Sequence, residues 1–202
     1  MRQIGLGCAM LILLATATSR GAVINVGERL LEPDQPSQTI EIRVSGGEAV
    51  SGVNFYVLLD DGGPAAGASE PVDGPIISDV NLTDGTIFDG NHNPQVSPTE
   101  APWVWTSNVT TQSGTVTADG VLATITFNTT GLHKGSWPLR LMDPLGAETN
   151  FVPGSVSTTV NHGTVHIPEP ASAALLVGSA LGAALRRPGT RRRGPCRAPA
   201  SR

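Results

Sequence analysis

Short runs in which apolar and polar residues alternate, separated by turn signals, restrict this fold more than any other feature. Residues 39–44 place Ile40, Ile42 and Val44 on one side and Glu41 and Arg43 on the other. A period of two belongs to a half-buried strand, not to a helix. Val53, Phe55, Val57 and Leu59 share one face of the next run, which ends in the turn chemistry of residues 60–64. Residues 123–127 and 137–141 alternate again, and Trp137 has the parity of Leu139 and Leu141, so it belongs to the core. Residues 22–26 read as a first strand. Residues 156–160 and 164–167 read as a closing hairpin around Asn161, His162 and Gly163. No convincing amphipathic helix interrupts residues 22–167. The expectation is an all-β domain, a two-sheet sandwich.

Three stretches carry a resemblance at this point: residues 39–44, 49–60 and 120–128. Their layout resembles the cohesin-like β-sandwich, a jelly roll related to some carbohydrate-binding modules. An immunoglobulin-like sandwich produces much the same pattern, and a shared sandwich does not bring a shared function with it.

Charge divides the chain sharply. Residues 22–167 hold 16 acidic residues against Arg29, Arg43, Lys134 and Arg140, a net charge of −12. Such a surface argues against nucleic acid as a partner. The two cysteines, Cys8 and Cys196, fall outside this stretch, so neither a disulfide nor a catalytic thiol belongs to it. It is long enough for one domain with its own core.

Both flanks read as targeting. Arg2 opens a short basic region, residues 4–15 are apolar, and small residues follow, which is the layout of a secretory signal peptide over residues 1–21. Cleavage after Ala17 fits an Ala-x-Ala pattern; cleavage after Ser19 or Ala22 is also open. At the other end come Pro168, Glu169 and Pro170, then residues 171–185 without a charge. Arg186, Arg187, Arg191, Arg192 and Arg193 follow within residues 186–193, and residues 194–202 read as a disordered tail. The prolines stop any element before them. The apolar run can enter a bilayer as a single transmembrane helix, and the arginines stay cytoplasmic. At 15 residues it is shorter than the roughly 20 a spanning helix usually needs. Terminal arginines that snorkel to the interface offset this.

This order of motif, short small-residue helix and arginine cluster over residues 168–193 resembles the PEP-CTERM sorting signal. Members of that family are substrates of a membrane-embedded exosortase, which processes them near the motif. The resemblance therefore implies recognition through Pro168, Glu169 and Pro170, a transient stay in the inner membrane, and a final place at the cell surface or outside it. One departure is the extension beyond the arginines, where family members usually end.

Three sites remain to be weighed. Asp89, Asn91 and Asn93 alternate, and Glu100 lies eleven residues after Asp89, which matches the ligand spacing of an EF-hand calcium loop. Pro94 stands where that loop wants glycine, and a polar Asn/Asp/Pro turn gives the same composition. Trp103 and Trp105 are two apart, so in a strand they face one way; they form either a platform for sugar stacking or part of the core. His162 and His166 sit in the expected hairpin, not on a helix that would bring them together around zinc. No nucleophile elbow or phosphate loop is present. The expected function is non-catalytic, with no cofactor beyond the open calcium site. It is an exported surface or matrix protein whose sandwich is structural or binds another surface protein. The alternative is a carbohydrate-binding module acting on extracellular polysaccharide.

Overall fold

The computed structural model describes residues 21–60 and 73–169. Residues 1–20 of the signal peptide expected over residues 1–21, the turn beyond Asp60, Pro170, the apolar run and the arginine cluster lie outside the described residues. Within them every regular element is a strand. They are β1 (Ala22–Leu30), β2 (Gln38–Ser45), β3 (Ala49–Val50), β4 (Gly52–Leu59), β5 (Ile76–Asn81) and β6 (Val96–Ala101), then β7 (Val104–Thr110), β8 (Val116–Thr117), β9 (Gly120–Asn128), β10 (Gly135–Arg140), β11 (Asn150–Val152) and β12 (Thr158–Ile167).

The alternation seen in the sequence sets the inward faces. Ile40, Ile42 and Val44 of β2 are buried between exposed neighbours. Val53, Phe55, Val57 and Leu59 of β4 are fully buried, as are Ala123, Ile125 and Phe127 of β9. These residues share one core with Leu139 and Trp137, although their strands lie far apart in the hydrogen-bonded order β5-β9-β2-β1-β12-β10-β4-β7-β6. A single sheet can bring them together only by folding over, which makes two layers around one core. β5, β9, β2 and β1 form one layer. β12, β10, β4, β7 and β6 form the other, with β11 paired to β4.

The fold-over occurs at β1 and β12. They run parallel from Ala22 opposite Thr158 to Leu30 opposite His166. β1 pairs with β2 only through Val23, Ile24 and Asn25, while β12 pairs with β10 through Gly163 to Ile167. The pair thus leaves one layer and enters the other. Its inward parity changes on the way. Ala22, Ile24 and Val26 point into the core before Gly27, and Leu31 does so after it. In β12, Val160 packs against the core before Gly163, and Val165 and Ile167 after it. Beyond Asn25 the gap between β1 and β2 is bridged by Arg29, whose Nη2 donates to the Glu41 carbonyl at 2.8 Å.

The closing hairpin expected from residues 156–167 is therefore corrected to one ten-residue strand, β12. Asn161 and Gly163 look like turn residues, but Gly163 serves a different need. It lies directly opposite Gly27, and a methyl group on it would run into the Gly27 carbonyl oxygen and the Val26 side chain. Glycine is there because the two backbones meet, not because the chain turns.

The far edges are managed separately. β6 ends the sheet and carries Pro98 and a register shift between Val96 and Thr99, both of which spoil it as a template for another strand. β5 is closed by groups outside the strand ladder. Ile77 N donates to the Pro102 carbonyl at 2.7 Å, and Gln95 supplies the next two contacts. Its Nε2 donates to the Val80 carbonyl at 2.6 Å and its Oε1 accepts from Leu82 N at 2.8 Å, so a side-chain amide stands in for a strand.

Replacing Gly163 with Ala is expected to destabilise the domain by about 2–3 kcal/mol, in the range of core overpacking. That corresponds to a fall in Tm of roughly 4–12 °C for a domain of this size. Gly27→Ala meets open space and bears only the positive φ of 69°, so its loss should be smaller. Thermal melts of the two variants check the order.

Candidate functional site

Trp103 and Trp105 do not share a strand face. β6 and β7 form a hairpin in which Ala101 pairs with Val104, so Pro102 and Trp103 make the turn and only Trp105 is in the strand. Proline at the first inner position favours such a turn, and this signal was available in the sequence. Trp105 is 8% exposed and belongs to the core; its Nε1 donates to the Ser107 Oγ at 3.0 Å. Trp103 is half-buried against the same core, and its Nε1 has no hydrogen-bond partner among the described residues. A pair of rings laid open to solvent is not what these positions form. Trp137 is in the core as expected, its Nε1 donating to the Asp73 carbonyl at 2.9 Å.

The stretch from Asp89 to Glu100 splits into a loop and a strand. Asn91 exchanges hydrogen bonds with residue 113: its Nδ2 donates to the Ser113 carbonyl at 2.9 Å and its Oδ1 accepts from Ser113 N at 3.1 Å. Asn93 Nδ2 donates to Thr110 Oγ1 at 2.9 Å and to the Thr111 carbonyl at 3.0 Å. Both amides therefore latch this loop to the one after β7. Glu100 is exposed on β6, paired with Trp105. No cluster of three His, Cys, Asp or Glu side chains able to hold a metal occurs among the described residues.

The titratable groups are scattered. Asp60, fully buried at the end of β4, meets Arg140 Nη2 at 3.1 Å. His162 Nδ1 accepts from Leu141 N at 3.2 Å. His162 and His166 lie on one strand, which separates residues four apart by roughly 13 Å. They cannot share a metal ion.

The outer face of the second layer carries a polar surface among the described residues. Asn54 and Tyr56 of β4 stand opposite Asn108 and Thr106 of β7, and Asn150 of β11 stands opposite Asn54. All five are half-buried and turned away from the core. Asn54 Nδ2 donates to Asn150 Oδ1 at 3.0 Å, and Thr106 Oγ1 has no partner among the described residues. This face offers amides, hydroxyls and one phenol. It can read a partner by hydrogen bonds but holds no acid–base pair. The sequence contained the clue, since these residues are the off-phase positions of the strands whose on-phase positions form the core.

The second feature is the exit of the chain. β12 ends at Ile167, which is 2% exposed. Pro168 lines a hollow of about 500 Å³ with Leu30, Leu31, Glu32, Pro33 and Gln35. Glu169 Oε1 accepts from Lys134 Nζ at 2.8 Å. Two of the three residues expected to be a sorting motif thus lie on the sandwich itself. Lys134 had no role in the sequence reading, because nothing local pairs it with a residue 35 positions away.

The hydrogen bond from Lys134, and then its charge, hold the Glu169 carboxyl below the usual glutamate range. The same contact raises the Lys134 ammonium above the usual lysine range. Stabilisation through Glu169 is present above the usual carboxylate range and is lost as pH falls through the depressed value. Stabilisation through Lys134 is present below the usual lysine range and is lost as pH rises through the raised value. Both groups are exposed, so the clasp is weak and screened by salt. In a carboxyl-detected NMR titration, Glu169 is expected to titrate below an ordinary glutamate. In Lys134→Ala it should return to the ordinary range.

No protein-family profile matches the sequence, and no curated protein matches it. Solved structures do share the fold. A cohesin from Clostridium acetobutylicum aligns with a TM-score of 0.54 at 14% identity, over 74% of this chain and 92% of its own. A type I cohesin from Clostridium thermocellum, solved in complex with a dockerin, aligns with a TM-score of 0.51 at 13% identity, over 74% and 95%. The seventh ScaB type I cohesin from Pseudobacteroides cellulosolvens gives a TM-score of 0.51 at 13% identity, over 74% and 93%. The fold of this chain is the cohesin-like β-sandwich.

Proposed function

We propose that the chain is an exported, exosortase-sorted surface protein whose sandwich is a non-catalytic module for binding another protein. The observation that carries the binding role is the outer face of Asn54, Tyr56, Thr106, Asn108 and Asn150 on a cohesin-like scaffold. It is rich in hydrogen-bonding groups and lacks a catalytic set. The Clostridium thermocellum structure contains a dockerin bound to a cohesin of this fold. The sorting role rests on the order of motif, apolar run and arginines in residues 168–193 and on the export signal at the other end.

A domain of residues 22–169, immobilised, is expected to retain a protein from the secreted fraction of its own organism. A Tyr56→Asp, Asn108→Asp double variant that melts like the parent should lose that protein. Equal retention by parent and variant would remove this face from the reading.

Sorting is tested in cells. Truncation before Pro168 should release the protein into the medium, because nothing remains to interrupt export. Glu169→Ala should leave insertion intact, since the residue lies outside the apolar run, and should block maturation, so that full-length protein collects in the inner membrane. A Glu169 variant that matures and localises like the parent would reduce the tail to an ordinary anchor.

A further inference from the structure

The distance between the folded domain and the apolar run is fixed by very few residues. Ile167 is the last residue of β12 and is buried, and Glu169 is clasped to Lys134. Only Pro170 separates Glu169 from Ala171, where the uncharged run begins. Two residue steps reach roughly 7 Å at full extension. If residues 171–185 enter a bilayer, the end of the sandwich that holds Lys134 cannot stand clear of it.

That end has the surface such a position needs. Leu30, at the tip of β1, is 76% exposed, although it is a large aliphatic side chain. It lies beside the hollow lined by Pro33 and Pro168, and its strand partner is His166. Exposed leucine and proline at the rim of a strongly acidic domain gain by entering the headgroup boundary, where apolar area leaves water. Glu32 and Asp34 accompany His133 and Lys134 at this end, so attraction to anionic lipid is not the driving force.

We infer that the Leu30–Pro33–Pro168 end of the sandwich rests on the lipid surface while the tail is inserted. This deepens the anchor reading proposed above and rests on it. The contact sets the domain's orientation, with β12 ending at headgroup level and the outer face of β4 and β7 left free for a partner. It also places Glu169 at the depth where a membrane-embedded enzyme meets its substrate.

A position well away from this end supplies the control. β10 begins at Gly135, opposite Ile167, and ends at Arg140, roughly 17 Å further along. Leu145 lies past Arg140, in the loop between β10 and β11 beside the middle of β4, and is 95% exposed. The full chain with Cys196→Ser, its signal peptide removed, is reconstituted in phosphatidylcholine vesicles. A single environment-sensitive fluorophore is attached through Leu30→Cys or Leu145→Cys. The label at position 30 should shift to the blue and be quenched by doxyl lipids, whereas the label at 145 should report water despite its greater exposure. Protein that floats with the vesicles but gives water-like emission at both positions overturns this inference and leaves the anchor reading standing. Protein that does not float overturns both.

Discussion

The parallel pairing of β1 with β12 is the interaction on which the rest of the structure depends. It joins the two ends of the described chain and, among the described residues, is the one connection between the layers that runs through the strand ladder. Without it the sheet would be two separate pieces, each exposing the inner face that the other covers. The inward parity of both strands has to change where they pass from one layer to the other. Gly27 and Gly163, opposite each other, allow that change, the first through its positive φ and the second through the closeness of the two backbones.

A sheet folded over on one side still has to close on the other. The structure does this with polar side chains. Gln95 bridges Val80 of β5 and Leu82 just after it and also reaches Ser97 and Ser107, which themselves share a hydrogen bond of 2.7 Å. Ser107 in turn takes the indole hydrogen of Trp105, the one polar atom this ring brings into the core. Buried amides and hydroxyls are tolerable there because each is paired. The same economy holds in the loop, where Asn91 and Asn93 join two turns. Asn91 and Asn93, which resemble ligands in the sequence, spend these amides on joining the two loops.

What the sequence made legible follows from this. The inward faces of β2, β4, β9 and β10 were readable because period-two alternation depends only on neighbours along the chain. The pairing of residues 22–30 with residues 158–166 was not, since no local pattern encodes contact across such a separation, and Gly163 carried the composition of a turn. Trp103 and Trp105 misled for a related reason: parity holds only within one strand, and Pro102 had already ended it. Lys134 and the polar outer face went unread because their meaning lies in what stands beside them. On the tail, the order of motif, run and arginines stands as a pattern in the sequence, and only Pro168 and Glu169 of it fall among the described residues.

The order of strands also bears on how such a protein would be exported. β1 cannot complete its pairing until β12, the last of the described strands, is in place. Closure of the sandwich is therefore a late, long-range event, and loop closure of that kind is slow. On the anchor reading, the apolar run begins only four residues after Ile167. The last strand reaches the outside when the chain is about to stop moving. A domain whose final core strand abuts its anchor thus folds at the membrane rather than away from it. The clasp between Lys134 and Glu169 continues the pairing of β10 with β12, since Gly135 lies opposite Ile167 in that ladder. Folding of the sandwich and placement of Glu169 against Lys134 are thereby coupled through one ladder.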